Sequence, residues 1–82
     1  MTNLNSKLIP IYLKEHFESN QHLPVTRKDL NIVLELKGIH IARKALGEYI
    51  NALRLYGMDI VVERGRNGAY FFQGYKEVNY NV

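Results

Sequence analysis

The residues with the most capacity for chemistry are cationic and stand in two separate segments. Arg64, Arg66 and Asn67 share a short loop whose glycines, Gly65 and Gly68, indicate a tight turn. A folded core gains nothing from two arginines at a loop tip. Guanidinium groups pair readily with phosphate and carboxylate, so the loop is a candidate anion-binding surface. The alternative interpretation is that the two arginines only make an exposed turn more soluble.

The second segment is a predicted helix, from about residue 41 to residue 56, that stops at Gly57. Its periodic apolar positions form one stripe: Ala42, Ala45, Leu46, Tyr49, Ile50 and Leu53. The opposite face carries Arg43, Lys44, Glu48 and Asn51, with His40 near the helix start. Amides at a helix N-terminus suit phosphate, although an ordinary solvated face has the same composition. Gly47 costs about 1 kcal/mol in mid-helix. Close approach by another helix or a phosphate would explain a glycine at this position. The glycine could equally have no special role.

Two further helices are predicted before this one. The first shows a helical pattern over residues 7–19, in which the residues of one face recur at three- and four-residue spacing: Ile9, Tyr12, Leu13, His16 and Phe17. Because proline is tolerated mainly in a first helical turn, regular helix is expected only from about Pro10. Residues 1–6 are polar and are expected to fray.

The second helix has the clearest start signal in the chain. It combines a capping box, Thr26 with Asp29, and a hydrophobic staple, Val25 with Leu30. Gly38 follows as a left-handed C-cap. A buried strand at residues 32–34 is the competing interpretation, and the cap favours the helix.

Two segments rich in β-branched and aromatic residues flank the cationic loop and predict a hairpin. They are Ile60–Glu63 and Ala69–Gln73, and residues 23–25 are expected to add a short edge strand. The tail, residues 74–82, alternates weakly at Val78, Tyr80 and Val82. If the tail pairs with a neighbouring copy, it supplies a dimer contact.

Composition restricts the classes of function. The chain has 82 residues, a formal net charge of +3 and no cysteine, which fits one small domain and excludes disulfides and thiolate zinc sites. No membrane span or secretory signal is recognisable, so a cytoplasmic protein without a membrane partner is expected. The nucleophile, phosphate-loop and metalloprotease motifs are missing, and the histidines lack metal-ligand spacing. We therefore expect no enzymatic activity, no cofactor and no metal.

The order of elements resembles the winged-helix N-terminal domains of DeoR-like regulators and the biotin operon repressor. The matching residues are Thr26, Arg27 and Leu30 at the opening of helix two, Ile50, Asn51, Leu53, Gly57 and Ile60 around the end of helix three, and Gly65, Gly68 and Tyr70 in the wing. The similarity covers about residues 8–73. It implies an α+β fold, a three-helix winged helix-turn-helix with a C-terminal β-hairpin wing, in a single domain of residues 1–82.

The resemblance also implies a function. Winged-helix regulators of this kind bind double-stranded DNA with helix three in the major groove and the wing on the backbone or minor groove. The residues expected to bind DNA are Arg27, Lys28, His40, Arg43, Lys44, Asn51, Arg64, Arg66 and Asn67. The resemblance therefore implies a small transcriptional regulator that binds paired half-sites as a homodimer. We expect it to be cytoplasmic, and nucleoid-associated if prokaryotic.

The alternative is a winged helix that binds a protein partner and no DNA. Glu48 on the helix-three face favours this interpretation, because a carboxylate repels phosphate. Such an adaptor should present an exposed apolar patch there, formed by Ile39, Ile41 and Tyr56.

Overall fold

A computed structural model describes the backbone of residues 4–63 and 68–76 and the side chains of residues 7–63 and 68–76. Six elements follow one another: α1 (Leu4–Ser19), β1 (Pro24–Val25), α2 (Arg27–Leu36), α3 (Arg43–Tyr56), β2 (Met58–Glu63) and β3 (Ala69–Tyr75). The strands form one antiparallel sheet in the order β1-β3-β2. This α+β arrangement is compatible with a winged helix, and it confirms the predicted fold class and edge strand.

One apolar core joins all six elements. The buried side chains are Ile9, Leu13, Phe17, Val25, Leu30, Leu34, Ile39, Leu46, Ile50, Leu53, Met58, Ile60, Tyr70 and Phe72. Among the residues whose side chains are described, no polar or charged side chain is buried. Phe17 of α1 meets Tyr70 of β3 edge to face, with ring centroids 6.5 Å apart. The helices and the sheet therefore share one hydrophobic interior, which fixes the position of α3.

The predicted start of α1 at Pro10 is wrong. The helix begins at Leu4, so residues 4–6 are helical as well, and Pro10 lies inside it. The proline lacks the N–H that would bond to the carbonyl of Ser6, and the helix accommodates that single loss near its first turns. Burial of Ile9 and Leu13 on the core side stabilises this segment as helix.

The predicted ends of α2 are confirmed. The Asp29 N–H donates to Thr26 Oγ1 at 3.1 Å, and the Thr26 N–H donates to Asp29 Oδ2 at 3.0 Å, which is a complete capping box. At the other end Gly38 has φ +75°. The Ile39 N–H reaches the Leu34 carbonyl at 2.9 Å, as in a Schellman motif.

The start of α3 differs from the prediction. The helix begins at Arg43, not near residue 41, and Ala42 is its extended N-cap residue. Ala42 is exposed, so its place in the predicted apolar stripe is wrong. The reason lies in the segment between α2 and α3. Because Ile39 is buried and Ile41 packs against the core, this segment is held against the core before the first helical turn.

The hairpin strands are longer than predicted. β2 begins at Met58, directly after the C-cap glycine, Gly57, and β3 continues to Tyr75. The last strand pair before the connecting loop is Glu63 with Ala69. The predicted loop residues 64–67 and the tail segment 77–82 lie outside the described residues.

Candidate nucleic-acid interface

Helix α3 has a buried face and a polar face. Leu46, Ile50 and Leu53 are 1–4% exposed, whereas Arg43 and Lys44 are exposed. Core packing therefore turns the cationic first turn of α3 outward. Within the described side chains, no ion pair involves Arg43 or Lys44.

The N-terminus of α3 carries positive charge from two sources. Ala42 has no side-chain acceptor, the cap makes no side-chain hydrogen bond, and the first turn contains no acidic residue. The open amides and the helix dipole make this end electropositive. Arg43 and Lys44 add two cations where the dipole disfavours them, and an anion placed there would relieve that conflict.

The start of α2 is different, because this chain supplies its own anion there. Asp29 is exposed and its carboxylate accepts the Thr26 backbone N–H at 3.0 Å. That hydrogen bond is the main cause that lowers the pKa of Asp29 below its ordinary value, and the Thr26 side chain contributes next. The predicted phosphate-binding residues Arg27, half-buried, and Lys28, exposed, therefore stand beside a carboxylate that is charged at neutral pH.

Glu48 breaks the cationic character of α3 in its second turn. It is exposed and lies four residues after Lys44, so both occupy the same helix face. The two exposed cations of α3, Arg43 and Lys44, are thus both in its first turn. His40 is also exposed, in the link that precedes the helix.

Arg54 is a positioning residue that the sequence analysis did not single out. Its Nε donates to the Ile60 carbonyl of β2 at 3.0 Å, and its Nη1 donates to Asn51 Oδ1 at 2.9 Å. The bond to Ile60 attaches the end of α3 to the strand that leads into the cationic loop, and the bond to Asn51 lies within α3. The only sequence signal was the three-residue spacing between Asn51 and Arg54, which places them on one helix face.

The contact with Arg54 changes what Asn51 can offer. Bidentate recognition of adenine requires the amide oxygen as acceptor and the amide nitrogen as donor. The oxygen of Asn51 faces the Arg54 guanidinium, so the nitrogen is the atom left to donate outward. Asn51 is exposed, and the bond from Arg54 uses one of the two lone pairs of its amide oxygen.

The predicted wing contacts Arg64, Arg66 and Asn67 lie outside the described residues. The structure does describe the two strands that flank them. The flanking strands pair in antiparallel register up to Glu63 and Ala69, and Arg54 fixes β2 against α3. The loop therefore emerges from a hairpin that is bound to the candidate recognition helix.

Within the described residues, no group of three His, Cys, Asp or Glu side chains is arranged to hold a metal ion. In the same residues, no helix has the length and apolar character needed to cross a membrane.

Comparison with known proteins gives no match: no protein-family model, no curated protein and no solved structure matches the chain.

Proposed function

We propose that this protein binds double-stranded DNA, with the first turn of α3 entering the major groove. Arg43 and Lys44 contact base edges or phosphates there, and His40 lies beside them. The start of α2 and the loop at residues 64–67 hold the flanking backbone. The role that fits a small domain of this kind is transcriptional regulation.

The observation that carries this proposal is the contrast between the two helix starts. At α2 an internal carboxylate, Asp29, completes the cap. At α3 the cap is open and two exposed cations occupy the first turn. A phosphate supplies the missing negative partner to this helix start, and the acceptor edge of a guanine suits the side chain of Arg43 or Lys44.

Glu48 contributes selectivity in this scheme. A glutamate on a recognition helix accepts a hydrogen bond from the cytosine amino group in the major groove, and it repels phosphate. Because Glu48 lies one turn beyond Lys44, the second turn of α3 favours contact with bases over contact with phosphates. The proposal extends to a homodimer on paired half-sites and to a location with the chromosome in the cytoplasm.

The direct experiment is a salt titration of duplex binding by the wild-type chain and by Arg43→Ala/Lys44→Ala. Each lost phosphate contact lowers the slope of log K against log salt by about 0.9. We expect weaker binding and a slope reduced by about 1–2 in the double variant. Lys7→Ala, which removes an exposed cation from α1, is the matched control and should change neither. Absence of duplex binding by the wild-type chain overturns the proposal.

The alternative function is a protein-docking module, and one observation favours it. Leu55 and Tyr56 are neighbours at the end of α3 and are 89% and 68% exposed, and contiguous exposed apolar side chains are typical of a docking surface. The patch expected around Ile39 and Ile41 is wrong, because Ile39 is buried and Ile41 packs against the core. A docking module of this kind would show no duplex binding in the salt titration, either by the wild-type chain or by Arg43→Ala/Lys44→Ala.

A further inference from the structure

An apolar groove of about 390 Å³ lies between α1 and α3, away from the cationic first turn of α3. Its lining residues are Pro10, Ile11, Lys14, Ala52, Leu53 and Tyr56. Ile11 is 48% and Tyr56 68% exposed. Lys14 pairs with Glu18 at 3.3 Å, so its ammonium group already has a partner and its aliphatic stem is left to line the groove. The groove is therefore suited to an apolar occupant.

The described chain ends beside this groove. The Tyr75 ring packs edge to face on the Tyr56 ring, with centroids 6.3 Å apart, and its hydroxyl donates to Glu18 of α1 at 2.6 Å. The next residue, Lys76, donates its N–H to the Gly57 carbonyl at 2.8 Å. The last strand thus delivers the chain to the point where the ends of α1 and α3 meet.

The residues that follow have the pattern and the reach to occupy the groove. In the segment 77–82, Val78, Tyr80 and Val82 alternate with asparagines, so an extended conformation places the three apolar side chains on one side. The distance from Glu18 to Ile11 along the axis of α1 is about 10 Å. Six extended residues span up to about 20 Å.

We propose that residues 77–82 bind in the α1–α3 groove of their own chain, with Val78 and Tyr80 against Ile11, Ala52 and Tyr56. A segment tethered this close has an effective concentration in the millimolar range, which favours it over the same segment of a second copy. The cationic first turn of α3 stays uncovered, so tail binding and duplex binding use separate surfaces.

A tryptophan introduced into the tail tests this proposal, because the chain contains none. Tyr80→Trp places the indole on the apolar side of the tail, and Asn79→Trp places it on the other side. We expect Tyr80→Trp to emit at shorter wavelength than Asn79→Trp, independently of protein concentration. Adding Ala52→Glu in the groove should remove that difference. Leu55→Glu, also on α3 but outside the groove lining, should not.

Each other outcome overturns the proposal. Equal, solvent-like emission from Tyr80→Trp and Asn79→Trp means that the groove does not hold the tail, whether it is open or awaits another protein. A blue shift that appears only as concentration rises, together with a doubled mass in sedimentation, assigns the groove to a second copy. Far-ultraviolet circular dichroism checks that each variant keeps its helices.

Discussion

The Tyr75 hydroxyl donates a hydrogen bond of 2.6 Å to the Glu18 carboxylate. These residues lie 57 positions apart, one at the end of β3 and the other near the end of α1. Lys14 approaches the same carboxylate at 3.3 Å, and the Tyr75 ring packs edge to face on Phe72 with centroids 5.4 Å apart. This contact joins the last strand to the first helix.

The first prediction concerns the charge state of Glu18. The hydrogen bond from Tyr75 is the main cause that lowers the pKa of Glu18, and Lys14 also contributes. Tyr75→Phe should therefore raise the pKa of Glu18 toward its ordinary value, measured by carbon-detected NMR titration of the carboxyl group. Asp29 is the internal control and should keep its lowered pKa. A Glu18 titration unchanged by Tyr75→Phe would contradict the hydrogen bond.

The same pair predicts how stability changes with pH. Because folding lowers the pKa of Glu18, its contribution is present above the pKa of the unfolded chain and is lost as pH falls through the folded pKa. The Glu18 hydrogen bond raises the pKa of Tyr75, so the tyrosine contribution disappears as pH rises through that raised value. Urea unfolding across pH should show both limbs, and both should flatten in Tyr75→Phe.

The second prediction tests the cap of α2. Thr26→Ala removes the acceptor of the Asp29 N–H and should lower the free energy of unfolding by about 1 kcal/mol. Thr26→Ser keeps a hydroxyl and should retain most of the stability. Unfolding in urea at neutral pH measures both. Equal stability of Thr26→Ala and Thr26→Ser would show that the hydroxyl bond contributes nothing.

Local signals predicted the parts of the fold that depend on neighbours in sequence. The cap at Thr26 and the stop at Gly38 require residues within one or two turns, and both were recognised. The start of α1 was missed because the loss of one hydrogen bond at Pro10 is offset by tertiary burial of Ile9 and Leu13. Sequence periodicity does not reveal that balance.

Some features of the candidate site could likewise be predicted from the sequence, and others could not. Exposure of Arg43 and Lys44 follows from the apolar stripe on the other side of α3, so it could be predicted. The role of Arg54 could not, because its main acceptor is the Ile60 carbonyl, whose position depends on how the hairpin folds back onto α3. The left-handed conformation of His22, with φ +67°, likewise had no glycine signal.

The third prediction uses two glycines whose surroundings are equally open. A Cβ at Gly47 or at Gly38 would meet nothing within 4 Å, but Gly38 has φ +75° whereas Gly47 is in a helix. Within the described residues, no other helix packs closely against Gly47. Gly47→Ala should therefore stabilise the fold by about 0.5–1 kcal/mol, and Gly38→Ala should destabilise it by about 1–2 kcal/mol.

Thermal or urea unfolding of the two glycine variants provides the measurement, with each serving as the control for the other. Duplex affinity of Gly47→Ala is informative in the same samples. A stabilised variant that binds DNA less tightly would indicate that the backbone at Gly47 contacts the duplex closely. Loss of stability in Gly47→Ala would contradict the open environment of this residue.

The fourth prediction separates structural and DNA-binding roles at the end of α3. Arg54→Met keeps an apolar stem but removes the bonds to Asn51 and Ile60, so it should lower stability more than Asn51→Ala, which removes one of them. Asn51→Ala should retain most duplex affinity, because its oxygen already faces Arg54. A large loss of affinity at unchanged stability would instead make Asn51 a direct base contact.

The last prediction concerns the cationic loop. If Arg66 holds a phosphate, Arg66→Ala should weaken binding to all duplex sequences alike and reduce the slope of log K against log salt by about 1. The physical reason is that one fewer counterion leaves the DNA on binding. Arg66→Lys keeps the charge and should keep the slope, while Lys7→Ala controls for a loss of net charge. An unchanged slope in Arg66→Ala would remove the loop from the DNA contact and leave binding to the first turn of α3 and the start of α2.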